Sequence, residues 1–305
     1  MCFNTPILLL IFNCLDTAQK VFNKIKQVKP RKLFISADGP RKNKAGEAEK
    51  CLAAQNTILK QVDWDCELFT NFRDSNLGCK LAVSSGIDWF FEHEERGIIL
   101  EDDTLPHHSF FRFCEELLEY YKDDKRIMMI SGDNFQFGKK LTEYSYYFSR
   151  YTHIWGWATW RRAWDYYDVD MKLWPEIRNS SLLCDILGNK REVAYWRGIF
   201  DKAYRKMIDA WSYQWLFTCW LRNGLNVFPQ VNLVSNIGFG GKGTHTRGKN
   251  EMANLENREM VFPLSHPPCV ARNVIADKLD DKTIFSSKPF YKKVVYRICG
   301  LFNGS

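Results

Sequence analysis

The sequence predicts an α/β protein with a mixed, mainly parallel sheet flanked by helices. Three observations carry this expectation. Over the first hundred residues, short apolar runs alternate with stretches of helical period in the order β-α-β-α-β-α-β. The runs are continuous, as in parallel strands covered on both faces. Turn-forming residues close them, and strands alternating with helices imply right-handed crossovers.

In order, Ile7–Phe12 is the first strand. Asp16 and Gln19 have capping-box spacing, and Ala18, Val21, Phe22, Ile25 and Val28 follow on one helical stripe. Leu33–Ser36 is the second strand, stopped by Asp38-Gly39-Pro40. Ala48, Cys51, Leu52, Ile58, Leu59 and Val62 carry a second helix, and Cys66–Phe69 a third strand. A helix over about 77–92 precedes the fourth strand, Gly97–Leu100. After Pro106, which reads as a helix start, Phe110, Phe113, Cys114, Leu117, Leu118 and Tyr121 form an amphipathic stripe. A strand at Ile127–Ile130 and a loop at Ser131–Asn134 follow, then an aromatic-dense stretch over 144–174. Helical patterns resume over about 193–222, ahead of a strand near Asn226–Pro229 and a Gly-rich stretch over 238–243. The second half reads as the same domain continued.

Composition excludes several classes. The 305 residues are 45% hydrophobic, and 22 Phe, 11 Trp and 13 Tyr are too many rings for a disordered chain. A chain of this length can bury a substantial core. The ten cysteines are at least twelve positions apart, so zinc ribbons and CxxC redox motifs are excluded, and a reduced, cytoplasmic setting is expected. No signal-like or membrane-spanning run is read at the start. The formal +7 lies almost entirely in Lys20–Lys50, as a solvated face or a surface for an anionic ligand. No nucleic-acid motif accompanies it. Residues 286–305 form a basic-aromatic tail suited either to peripheral contact with an anionic bilayer or to a packed terminal helix.

The chemistry points to the carboxyl edge of the strands, where open α/β sheets bind ligands. That edge carries Asp38, Arg73 and the run Glu101-Asp102-Asp103. Three consecutive carboxylates repel one another unless a cation or a hydrogen-bonding ligand offsets them. A hard divalent ion shared with substrate phosphates suits them.

Ile98–Pro106 followed by Phe110-Phe111 resembles the metal-binding segment of GT-A (Rossmann-like) glycosyltransferases, and is most similar to N-acetylglucosaminyltransferase I-like enzymes, where Glu-Asp-Asp stands for the DxD motif. Pro6–Leu8, Ser36–Gly39 and Asn76–Gly78 match in order. Trp155–Trp160, Trp211–Trp215 and Asn232–Gly240 ending in Thr244–Thr246 resemble bacterial and viral sugar-nucleotide transferases of unknown acceptor. The resemblance covers about 5–250. It implies one catalytic domain over 1–285, with about 1–105 for the nucleotide-sugar and 106–285 for the acceptor. It implies a metal-dependent, inverting transferase moving a sugar from a nucleotide-diphosphate donor, with a UDP-sugar favoured, to a glycan, glycolipid or protein.

By the same resemblance, Asp38 accepts from the base, Glu101 and Asp102 face ribose and sugar, and Asp103 holds Mn2+ or Mg2+ at the diphosphate. Arg73 or Lys80 adds a cation there or is an ordinary surface charge. Asp209 is the base or a helix cap, standing where relatives carry Asp-Asp-Trp and this chain has Asp209-Ala210-Trp211. His245 contacts metal or diphosphate, or serves as a loop hydrogen-bonder. Twelve rings over 144–174, half of them expected in the core, suggest a wall on which sugars stack, and Trp155, Trp157 and Trp211 are its candidates.

Two other readings share parts of this pattern. A sugar-nucleotide nucleotidyltransferase would open with a Gly-rich loop, which Phe12–Asp16 lacks. A non-catalytic carbohydrate-binding protein would need the rings and not the carboxylates.

Overall fold

The computed structural model describes residues 3–239, 252 and 254–285. The first half runs β1 (Ile7–Ile11), α1 (Leu15–Val28), β2 (Lys32–Ala37), α2 (Glu47–Lys60), β3 (Glu67–Phe72), α3 (Cys79–His93) and β4 (Arg96–Glu101). The second continues with β5 (Thr104–Pro106), α4 (His108–Tyr120), β6 (Ile127–Ser131), β7 (Tyr146–Ser149) and β8 (Trp157–Trp160). Helices α5 (Arg161–Trp164), α6 (Trp174–Ile177), α7 (Leu182–Leu187), α8 (Lys190–Tyr204) and α9 (Ser212–Leu221) follow. Strands β9 (Leu225–Pro229) and β10 (Val234–Asn236), α10 (Val274–Asp280) and a π-helical turn at Asp281–Phe285 complete the described chain.

Eight strands form one mixed sheet in the order β3-β2-β1-β4-β8-β6-β9-β7. The β-α-β half is parallel throughout, as its crossovers require, and β8 runs antiparallel to both β4 and β6. Alternate residues of each strand feed opposite cores. Ile7, Leu9, Leu33 and Ile35 face a core shared with α1 and α4. Leu8, Leu10 and Phe34 face one shared with α3 and α9. A third core, built from Trp174, Trp196, Phe200, Phe217 and Trp220, holds the helices of the second half together.

Several local expectations shift. The capping box at Asp16 and Gln19 does not form. Cys14 precedes α1 without a side-chain cap bond, and the Gln19 amide donates to Gln61 Oε1 at 3.0 Å. Asp16 instead lies inside the first turn, where its charge suits the helix dipole. Leu105-Pro106 is not a helix start. It belongs to β5, which pairs antiparallel with β10 and fixes the turn after the carboxylates. The helical stretch over 193–222 is two helices, α8 and α9, and the break between them carries Asp209 and Trp211. The Gly-rich stretch over 240–243, His245 and the tail over 286–305 lie outside the described residues.

Most of the aromatic-dense stretch is core. Tyr146, Phe148, Trp160 and Trp164 are buried, as is Trp157 at 0% exposure. Trp157 and Trp160 sit on β8, the strand inserted between β4 and β6, where a short aromatic strand packs on both faces. Among the described residues no helix is long and apolar enough to cross a membrane.

Candidate functional site

The carboxyl ends of β1, β2 and β4, the start of α3 and the α8–α9 break enclose a cavity of about 300 Å³. Seven residues expected at the site line it: Asp38, Glu101, Asp102, Asp103, Trp155, Asp209 and Trp211. They come from separate chain segments that the fold brings together.

The carboxylates follow β4 directly. Thr104 Oγ1 accepts from the Glu101 N–H and donates to the Glu101 carbonyl, both at 2.9 Å, which closes the turn and presents the three acids together. Burial, then the charges of Asp103 and Asp102, pushes the Glu101 carboxyl up to about 8, against a donated bond from the Trp211 indole. Burial and the neighbouring charge raise Asp102, which accepts from the Phe12 N–H at 3.1 Å. Burial raises Asp103, whose carboxylate takes a bond from the Asn236 amide. Among the described residues no Lys or Arg pairs with any of the three. The Cys14 thiol opposite is pushed up to about 11 by burial and then by Asp102 and Asp103, a second sign of negative potential in the cavity.

Gly238 lies against Asp103, where a Cβ would overlap the carboxylate. Its N–H donates to Asn236 Oδ1, and the next link, Ile237 N–H to the Asp103 carbonyl at 2.8 Å, ties this strand end to the acidic turn. Among the described residues no group of three or more His, Cys, Asp or Glu side chains is placed to hold a metal ion.

Asp38, 9% exposed, joins the end of β2 to the segment before α3. Its Oδ1 accepts from the Gly39 and Leu77 N–H groups, both at 2.9 Å, and its Oδ2 from the Asn76 amide at 2.7 Å. Burial raises its carboxyl, and those backbone bonds and Arg73 partly counter the rise.

Asp209 is a cap in the structure, for a helix 130 positions away. Its Oδ2 accepts from the Cys79 N–H at 3.0 Å and its Oδ1 from the Lys80 N–H at 2.9 Å. Helix α3 has no acidic residue in its first turn and no side-chain cap of its own, so this distant carboxylate satisfies its orphan donors. The approach depends on Gly78, whose φ of +82° and ψ of 162° suit glycine alone and whose Cβ would meet Asp209 Oδ2 at 2.9 Å.

Three expected residues do not line the cavity. Arg73 donates to Ser36 Oγ at 3.2 Å and Ser85 Oγ at 2.7 Å, tying the end of β3 to β2 and α3. Lys80 contributes its backbone N–H to Asp209, and its side chain is largely buried. Trp157 is core, stacked on Trp211 at 5.5 Å, so it supports the wall from behind. The expectation for His245 falls outside the described residues.

Sequence reading missed Arg41, a cation on the cavity wall. It is one of ten basic residues between 20 and 50, and charge alone does not separate it from its neighbours. Asn236 carried a signal, as part of the Asn232–Gly240 resemblance.

No family model and no curated protein matches this sequence. Among solved structures, HddC from Yersinia pseudotuberculosis superposes over 52% of this chain and 77% of its own, at 8% identity and a TM-score of 0.31, a likeness too slight to bear on fold family or function.

Proposed function

We propose that the chain is a GT-A glycosyltransferase, metal-dependent and inverting, that transfers a sugar from a nucleotide-diphosphate donor to a glycan, glycolipid or protein. The observation that carries this reading is the unpaired acidic turn: Glu101, Asp102 and Asp103 face one cavity at the end of β4 with no basic partner among the described residues. Such an arrangement is costly unless a ligand offsets it. The mixed sheet with its acidic turn after β4 supports the GT-A assignment.

The donor set fits Mn2+ or Mg2+. Its donors are carboxylate oxygens, the type such a hard cation takes, and with no group of three ligands placed to hold an ion among the described residues, Asp103 and its neighbours would hold one only together with substrate phosphates. When bound, the metal neutralises charge on the departing diphosphate. The chain's own residues do the rest. Asn236 and Phe12 N–H orient the carboxylates of Asp103 and Asp102. Trp155 and Trp211 offer apolar faces to sugar rings and limit water. Asp209 accepts the proton of the incoming hydroxyl, with α3 amides holding both its oxygens in place.

The test is donor hydrolysis across a panel of sugar nucleotides, with and without Mn2+. The proposal expects turnover of at least one member that requires the metal and is lost in Asp103→Asn. Absence of metal-dependent binding or turnover with every member refutes it, and pyrophosphate-dependent turnover favours a nucleotidyltransferase.

A further inference from the structure

Asp133 is a fully buried carboxyl that the proposed chemistry leaves unused. It follows β6 at 0% exposure. Its Oδ2 accepts from the Trp155 N–H at 2.9 Å, and its Oδ1 has no partner among the described residues. Burial pushes the carboxyl well above its ordinary value, and the bond from Trp155 only partly counters the rise. A buried polar atom without a partner costs free energy, so the side chain's role must outweigh that cost.

Joining the two loops is not that role. The loop after β6 and the segment before β8 are tied by the Gly132 N–H to the Gly156 carbonyl and by Ser131 Oγ to the His153 carbonyl, both at 2.8 Å. From the end of α10, Asp280 grips both. Its Oδ1 accepts from the Gln136 amide at 2.6 Å and its Oδ2 from His153 Nε2 at 3.1 Å. What Asp133 adds is a bond to the backbone of Trp155 itself.

Strand register brings Trp155 to the proposed donor site. Trp157 pairs with Ile99 of β4 and with Ser131 of β6. The chain just before β8 therefore emerges between the ends of those strands, with Glu101 on one side and Asp133 on the other. Trp155 and Glu101 line the same cavity. The Phe135 and Phe239 rings meet the indole edge to face, with centroids at 4.9 and 5.6 Å. Backbone and ring are both fixed, and an indole set in advance loses little freedom when a sugar stacks on it.

We infer that Asp133 is a positioning residue: its bond to the Trp155 N–H sets the indole beside the acidic turn, where it stacks on the transferred sugar of the donor. The inference rests on the proposed transferase reading and deepens it, by assigning this wall to the glycosyl group and not to the diphosphate.

The probes are the panel sugar nucleotide that binds most tightly with Mn2+ and its parent nucleoside diphosphate, titrated by calorimetry. Their affinity ratio isolates the sugar's share. Asp133→Ala removes the acceptor, Asp133→Asn keeps an acceptor oxygen, and Trp155→Ala removes the ring. Asp133→Ala should weaken the sugar nucleotide by about tenfold and the diphosphate by less than about twofold. Asp133→Asn should hold both within about threefold. Trp155→Ala should show the same selective loss. Adding Asp133→Ala to it should cost nothing more, because a residue acting through Trp155 has no effect without its ring. A side chain serving the fold alone would lower Tm and leave the affinity ratio intact. Circular dichroism shows which variants fold, and Asp133→Val takes the place of Asp133→Ala in the cycle if the smaller side chain fails to fold. Equal loss for the two ligands, additive losses in the double variant, a loss in Asp133→Asn equal to that in Asp133→Ala, or a wild-type ratio in Trp155→Ala overturns the role of Asp133 and leaves the transferase reading standing. No Mn2+-dependent binding of any sugar nucleotide overturns both.

Discussion

Asp209 has two jobs on one carboxylate, and Asp209→Asn separates them. In the wild type both oxygens accept α3 amide hydrogens, at 3.0 and 2.9 Å. Asparagine keeps one acceptor and turns an NH2 toward the other N–H. The loss is that of one charge-assisted bond in a cap, about 1.5 kcal/mol. With the usual unfolding entropy spread over 305 residues, this lowers Tm by about 2 °C. The side-chain volume hardly changes, so Gly78, Cys79 and Ala82 stay on the cavity wall. Donor affinity should therefore stay within about threefold. Loss of the base itself lowers turnover by about 100-fold or more. The assays are differential scanning calorimetry, donor titration by tryptophan fluorescence, and donor hydrolysis at saturation. The base role is refuted if turnover stays within about tenfold while Tm falls and donor affinity weakens, because that is the signature of a cap alone.

Three further outcomes are expected. Gly78→Ala places a Cβ 2.9 Å from Asp209 Oδ2 at a φ of +82°, a glycine-only conformation costing about 1–3 kcal/mol, so Tm should fall by several degrees; an unchanged Tm contradicts the geometry. Arg41 holds the Glu47 carboxyl at about 2, below its ordinary value of 4.5. A depressed acid stabilises the fold above the unfolded value and loses that contribution as pH falls from about 4.5 toward 2. The Tm gap between wild type and Glu47→Gln should therefore be widest above about pH 5 and close below it, and a gap independent of pH contradicts the ion pair. Trp157→Ala should cost about 3–5 kcal/mol in urea unfolding and weaken the donor affinity of the folded protein by no more than about threefold, through lost support for Trp211, whereas a direct donor contact would show as a large affinity loss.

Trp157 also shows how far the sequence reaches. Its place among twelve rings suggested a sugar platform, but composition records only that rings are dense. The side of a strand on which each ring falls depends on pairing. Strand β8 slots between β4 and β6, which turns Trp157 into one core and Trp160 into the other. Arg41 is the converse case, a residue hidden by its neighbours' charge until Glu47 and Phe12 single it out.

The sequence by itself determined the alternating β-α half and the acidic turn at the end of β4. Those follow from local chemistry: continuous apolar runs need two covered faces, and turn residues stop them. It also named Asp38, Glu101, Asp102 and Asp103 on the cavity wall, because residues just past strand ends of a parallel sheet converge on one edge, while Trp155, Asp209 and Trp211 were named by resemblance. Only the tertiary structure decided which carboxylate caps which helix, which cation faces the cavity and which ring reaches its surface. Asp209 bonds α3 across 130 positions, and such pairing depends on how separate elements pack, which no local pattern encodes.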